Sequence, residues 1–118
     1  MEKIVRQALL YDFYGELLTE HQKSIYSDIV LNDLSYSEVA RDEGISRQGV
    51  YDLVKRCDKI LEDYESKLLL VEKFLDTKER VNRIHDLATV LKEMTDKIEL
   101  QEKINEIEQI SKDIYESY

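Results

Sequence analysis

The sequence predicts an all-α protein, and three observations carry that expectation. There is no proline, and only three glycines (Gly15, Gly44 and Gly49) interrupt 118 residues, so strands and hairpins have almost no turn signals to work with. Leu, Ile, Glu and Lys dominate the composition. Apolar residues recur at helical spacing behind a series of capping residues. With 42% apolar and 36% charged residues, the chain suits one small globular domain with an extended appendage.

The elements follow in order. Residues 3 to 18 place Ile4, Ala8, Leu9, Tyr11, Phe13, Leu17 and Leu18 along one helical face, with Gly15 tolerated at a cost of about 1 kcal/mol. Thr19 and Gln22 have capping-box spacing and open a second helix, with Ile25, Ile29 and Val30 inward and an end near Asn32. Ser35 and Glu38 repeat the box for a short helix that carries Val39 and Ala40 and stops at Gly44. Ser46 caps the next helix. Its apolar positions Val50, Leu53, Val54, Cys57, Ile60, Leu61, Tyr64 and Leu68 predict a run to about Leu75. Asp76 with Glu79 is one more box. Beyond it Ile84, Leu87, Leu91, Met94 and Ile98 keep a 3-4 spacing, which resumes after a jump as Leu100, Ile104, Ile107, Ile110 and Ile114. Asp96 with Glu99 offers a cap at that jump, so one bent helix and two separate helices are both compatible with the tail. The domain organisation expected is residues 1–75 followed by a helical arm over 76–118.

Residues 36 to 55 have the spacing of a helix-turn-helix. Val39, Ile45, Val50 and Leu53 occupy its apolar positions, Ala40 the small position where two steeply crossing helices meet, and Gly44 the sharp turn. With those faces buried, Arg47, Gln48, Tyr51, Asp52, Lys55, Arg56 and Lys59 stay outside, near the start of a helix of the kind that enters a major groove. Arg47 and Gln48 suit bidentate contacts to guanine and adenine. Ser46, with the free N–H groups of the helix start, suits a phosphate.

Charge distribution bears on that reading. The formal net charge is −9, yet residues 46 to 59 carry four basic and two acidic residues, a local +2. Residues 62 to 118 hold 9 basic and 15 acidic residues, against 8 and 11 in residues 1 to 61, so the tail carries most of the acidity. A local +2 is thin for nucleic-acid affinity, which comes largely from neutralised phosphates, so a monomer should bind DNA weakly. The tail's apolar stripe points to a second subunit, because a helix of ~40 residues, ~60 Å long, cannot bury its stripe against so small a domain. The expectation is a homodimer. The helical spacing of Tyr11, Phe13, Tyr14, Tyr26 and Tyr36 favours packing over base stacking, with Tyr51 the exception.

The stretches "LLYDFYGELLTEHQKSIY" (Leu9 to Tyr26), "LNDLSYSEVARDEGISRQGVYDLVKRCDKILEDYESKL" (Leu31 to Leu68) and "LLVEKF" (Leu69 to Phe74) resemble the YlxM-type helix-turn-helix proteins of Gram-positive bacteria. "YDFYGELLT" and "SRQGVYD" are the most specific segments. The same helix-turn-helix is similar to the C-terminal domain of bacterial sigma factors. The resemblance implies an all-helical, DNA-binding type of domain and a link to the signal recognition particle pathway. The sequence departs from the family's usual form at Gly49, where alanine is commoner, and the segments that carry the resemblance end before the tail beyond Asp76.

Other functions find little support. His21 and His85 stand alone, no His or Cys pair has metal-ligand spacing, and no Gly-rich phosphate loop or serine elbow is present. Glu38 and Asp42 share a helix face, as chance allows in an acidic chain. No catalysis, cofactor or metal is expected. Cys57 cannot form an intrachain disulfide and reads as a buried inert thiol. The N-terminal segment has polar residues where a signal peptide would be apolar, and no apolar run approaches the ~20 residues of a membrane span. A cytoplasmic protein without membrane insertion is expected. The leading reading is a regulatory DNA-binding protein with a helix-turn-helix, tied by resemblance to the signal recognition particle pathway. The alternative is an adaptor that binds that particle's proteins, its RNA or the ribosome through its helices.

Overall fold

The computed structural model describes residues 1–117, all of whose regular structure is helical. The elements are α1 (Lys3–Tyr14), a 3-10 turn (Gly15–Leu17), α2 (Glu20–Val30), α3 (Tyr36–Glu43), α4 (Arg47–Leu68), α5 (Leu70–Glu93) and α6 (Ile98–Ser117). The chain divides into two compact units, Met1–Val71 and Glu72–Tyr118.

In the first unit α4 packs against α1, α2 and α3. Leu10 and Tyr14 of α1, Ile25 and Tyr26 of α2, Val39 of α3, and Val50, Val54, Cys57 and Leu61 of α4 are almost completely buried. Their joint removal from water is the main stabilising term of a small helical domain. The first helix departs from expectation. It leaves α geometry at Tyr14, and Leu10 and Tyr14 face the core while Ile4 and Leu17 are exposed. Gly15 also permits a close approach here, since a Cβ at that position would lie 3.0 Å from the Tyr11 ring.

Both predicted boxes at the starts of α2 and α3 are formed. Thr19 Oγ1 accepts from the Gln22 N–H at 3.2 Å while Gln22 Oε1 accepts from the Thr19 N–H at 3.0 Å. Ser35 and Glu38 exchange the equivalent pair at 3.1 and 3.3 Å. Polar ties then join α1 to α4. Arg6 donates to both carboxylate oxygens of Glu62 at 2.6 and 2.7 Å, and Gln7 donates to Asp58 at 2.8 Å. From α2, the Tyr26 hydroxyl donates to the same Asp58 oxygen at 2.6 Å.

The fourth helix stops at Leu68, seven residues short of the expected Leu75. Leu69 takes a left-handed conformation, φ 55°. Side chains from elsewhere fix this break. The buried Glu65 carboxylate accepts from the Val71 N–H at 3.0 Å, and the Tyr14 hydroxyl accepts from the Leu70 N–H at 3.1 Å, so the first free N–H groups of α5 are satisfied. Asp76 consequently lies inside α5, where it pairs with Arg80 at 3.1 Å rather than capping a helix.

The second unit is an antiparallel helix pair. Lys78 of α5 lies 4.2 Å from the centre of the Tyr115 ring of α6, and Thr89 and Lys92 reach Glu108 at 3.2 and 3.3 Å. The tail is therefore two helices rather than one bent helix. Their turn uses Thr95, whose hydroxyl accepts from the Lys97 N–H at 3.3 Å and whose carbonyl accepts from Gln101 Nε2 at 2.8 Å. Val81, Ala88, Ile104 and Ser111 are the buried residues of this pair.

Candidate nucleic-acid interface

A short helix, a tight turn and a long helix place the candidate residues. Gly44 ends α3 at φ 69°, in the left-handed region that L side chains enter at a cost, and its N–H returns to the Ala40 carbonyl. The Ile45 N–H also returns to that carbonyl, at 3.1 Å. Ser46 then caps α4, its Oγ accepting from the Gly49 N–H at 2.9 Å. Val39, Ala40, Val50 and Val54 are buried and hold the two helices together. Ile45, expected among the buried apolar positions, is instead 39% exposed.

The turn leaves one face of the first two turns of α4 open to solvent. Arg47 and Gln48 are exposed, and together with Tyr51 and Tyr36 they line a shallow depression. Tyr36 meets Tyr51 edge-on with ring centres 5.9 Å apart, and the Lys55 ammonium lies 5.4 Å from the Tyr51 ring centre. The Tyr51 ring thus has two neighbours, Tyr36 and Lys55, while 42% exposed. Arg47, Tyr51 and Lys55 recur at i, i+4 and form one basic and aromatic stripe.

The remaining candidates serve different ends. Gln48 Nε2 donates to Asp52 Oδ1 at 2.9 Å, which orients the amide and occupies one carboxylate oxygen. Ser46 is engaged in capping, as the N-cap position requires. Arg56 and Lys59 are exposed further along α4, beyond the stripe. Asp58, one of the two acids that reduce the local charge, is held by Gln7 and Tyr26 against the core. Asp52 is the other. Tyr36 packs, as its spacing predicts, but it does so against Tyr51 and beside Arg47 and Gln48, a place the sequence does not indicate. No local signal marks this, because Tyr36 opens α3 at the end away from the turn and meets Tyr51 only when the two helices cross.

Buried titratable groups lie behind this surface. Burial first, then the Asp58 carboxylate, pushes the Tyr26 phenol well above its ordinary pKa. Burial, then Asp58, pushes the Cys57 thiol up to about 11, as suits the inert core thiol expected there. Among the described residues no group of three or more His, Cys, Asp or Glu is placed to hold a metal ion, and no helix is long and apolar enough to cross a membrane.

A capped short helix, a left-handed glycine and a second helix with its first turns exposed define a helix-turn-helix protein. The family model described as "Putative helix-turn-helix protein, YlxM / p13 like" matches residues 1–101, and the chain belongs to that family. It is 45% identical to the UPF0122 protein YlxM of Bacillus subtilis (strain 168) over 108 residues, which are 89% of this chain and 98% of the relative. A UPF0122 protein of Bacillus velezensis matches at 45% with the same coverage. One of Bacillus thuringiensis matches at 40% over 109 residues, 89% of this chain and 99% of its own.

Proposed function

We propose that this protein is a cytoplasmic, non-enzymatic regulator that binds DNA by placing the start of α4 in a major groove. The observation that carries this reading is the exposed stripe of Arg47, Tyr51 and Lys55, with Gln48 beside it, on a helix whose entry angle is fixed by Gly44 and Ser46. In this reading Arg47 and Gln48 read base edges, while Ser46, Lys55, Arg56 and Lys59 engage phosphates. A homodimer formed through the C-terminal helices doubles the phosphate contacts. It compensates for the thin local charge, and symmetric docking sets half-sites ~34 Å apart or a multiple of that. In this reading the protein acts in or on the signal recognition particle pathway.

A second reading rests on the acidity of α3, where Glu38, Asp42 and Glu43 are exposed against Arg41 alone. Here α3 forms part of an adaptor's docking face for protein components of that particle or of the ribosome. One experiment separates the readings. Fluorescence anisotropy of the full chain is followed against mixed-sequence duplex DNA and against the particle's RNA, titrated with salt, for the native protein and an Arg47→Ala, Gln48→Ala, Lys55→Ala variant. DNA binding that falls steeply with salt and disappears in the variant supports the first reading. Absence of DNA binding at low salt, or DNA binding retained by the variant, overturns it.

A further inference from the structure

The second unit buries its more polar side and displays its more apolar one. Along α5 the inward positions are Val81, His85, Ala88 and Lys92, and along α6 they are Gln101, Ile104, Glu108 and Ser111. This seam is small and polar. The larger apolar side chains lie elsewhere: Ile84, Leu87, Leu91 and Met94 on α5 are all exposed, Leu87 by 63% and Met94 by 77%. Leu100, Ile107, Ile110 and Ile114 of α6 are exposed in the same way.

Helix geometry shows that these two sets form one surface. At about 100° per residue the exposed stripe lies roughly 110° round from the seam on α5 and roughly 95° round on α6, in the same rotational sense. The two helices run antiparallel, so equal rotations in that sense bring both stripes to the same side of the pair. Eight large side chains, about half exposed on average, present several hundred Å² of apolar surface. With the flanking side-chain stems this approaches the ~800 Å² that each partner of a stable interface buries.

We infer that this surface packs against its own copy in a second chain, forming a four-helix bundle in which α5 of each protomer lies against α6 of its partner. The inference rests on the homodimer reading above and specifies its face and its symmetry. Charge selects the pairing. From Glu72 to Glu93, α5 carries five basic and five acidic residues, whereas α6 carries Lys103 and Lys112 against six acids, a net −4. A two-fold axis across the helices would set α6 beside its partner's α6 and bring two such charges together. An axis along the bundle puts α5 beside the partner's α6 and leaves the two α6 helices diagonal. All neighbouring helices are then antiparallel, and both chains enter the bundle at the same end.

The contacts of Lys78 with Tyr115 and of Lys92 with Glu108 set the heights along the pair and bring Leu87 level with the partner's Ile110. The test uses full-length chains bearing Leu87→Cys or Ile110→Cys, mixed, exchanged and treated with a short thiol-specific cross-linker, beside sedimentation equilibrium of the native protein. The expected results are a particle of twice the 14.0 kDa chain mass and cross-linking between the two different variants, with little within either one alone. Efficient cross-linking of Leu87→Cys to itself overturns the bundle symmetry and leaves the dimer standing. A native protein that sediments as a single chain at all concentrations overturns both, and assigns the apolar face to a different partner. A Leu91→Glu, Ile107→Glu chain should keep its helical circular dichroism and lose at least tenfold in association. An unchanged dimer in that variant overturns the assignment of the face.

Discussion

The Tyr14 hydroxyl of α1 donates a 2.6 Å hydrogen bond to the buried carboxylate of Glu65 near the end of α4. Tyr14 is 1% exposed and Glu65 6%. The same hydroxyl accepts from the Leu70 N–H and the same carboxylate accepts from the Val71 N–H, so two side chains from distant parts of the sequence close the break between α4 and α5. A buried carboxylate without such partners would be costly, and the backbone N–H groups would lose their acceptors.

Tyr14→Phe should therefore destabilise the first unit by about 1–3 kcal/mol, because it strips one donor from Glu65 and one acceptor from Leu70 while leaving the ring packing in place. Urea unfolding monitored by circular dichroism measures the change. A midpoint equal to that of the native protein would show that water replaces the hydroxyl without cost.

Gly44→Ala should cost about 1–2 kcal/mol, since the position holds φ 69° and an L residue pays for the left-handed region. The cost is conformational and not steric, because a Cβ there would meet nothing within 4 Å. Gly44→Asn should cost less, asparagine being the side chain that best tolerates that conformation. Thermal unfolding of the two variants gives the order.

Under the proposed DNA-binding reading, Arg47→Ala and Lys55→Ala weaken binding in different ways. Loss of a bidentate base contact at Arg47 should cost about 1–3 kcal/mol and relax preference at one base pair, whereas loss of Lys55 should weaken all sequences alike and lower the salt slope by about 1. Lys55→Ala also uncovers one side of the Tyr51 ring. Equal effects of the two variants on every sequence would remove Arg47 from base readout.

Acid should loosen the tie between α1 and α4. The Arg6 hydrogen bonds, ahead of its charge, hold the Glu62 carboxyl below its ordinary pKa. A depressed acid contributes stability that is present above the unfolded value, about 4.3, and is lost as pH falls through the lower folded value. The pair is nearly half exposed, so the contribution is under about 1 kcal/mol. Arg6→Ala should make stability less dependent on pH across that acid window.

Cys57 should be inert in the folded protein. Its thiol is raised to about 11, so the stability associated with its neutral form is intact below the unfolded value near 8.5 and is lost as pH rises towards 11. Thiol reagents at pH 8 should label it at the rate of unfolding, and faster labelling would mean that the core opens locally.

Much of the fold was legible in the sequence because its signals are local. Thr19 with Gln22 and Ser35 with Glu38 cap helices through side chains three residues apart, Gly44 supplies a left-handed turn by itself, and the apolar spacing from Val50 to Leu61 marks the inner face of α4. The exposed residues of the candidate interface followed by subtraction once that face was assigned. The sequence thus determined the helical class, the helix-turn-helix and the identity of the side chains it presents.

Tertiary structure decided what depends on distant partners. The end of α4 at Leu68 could not be read from apolar spacing that continues past it, because Tyr14 and Glu65 make the break by satisfying the N–H groups of α5. The tail read as one helix or two until contacts of Lys78 with Tyr115 and of Lys92 with Glu108 made it an antiparallel pair. Asp58 counted against the basic surface in the sequence, yet Gln7 and Tyr26 draw it to the core, and Tyr36 joined that surface only when the turn brought it to Tyr51. Capping and periodicity are properties of a few neighbouring residues. Helix breaks, pairings and the direction of a charge are set by groups that meet only when the chain has folded.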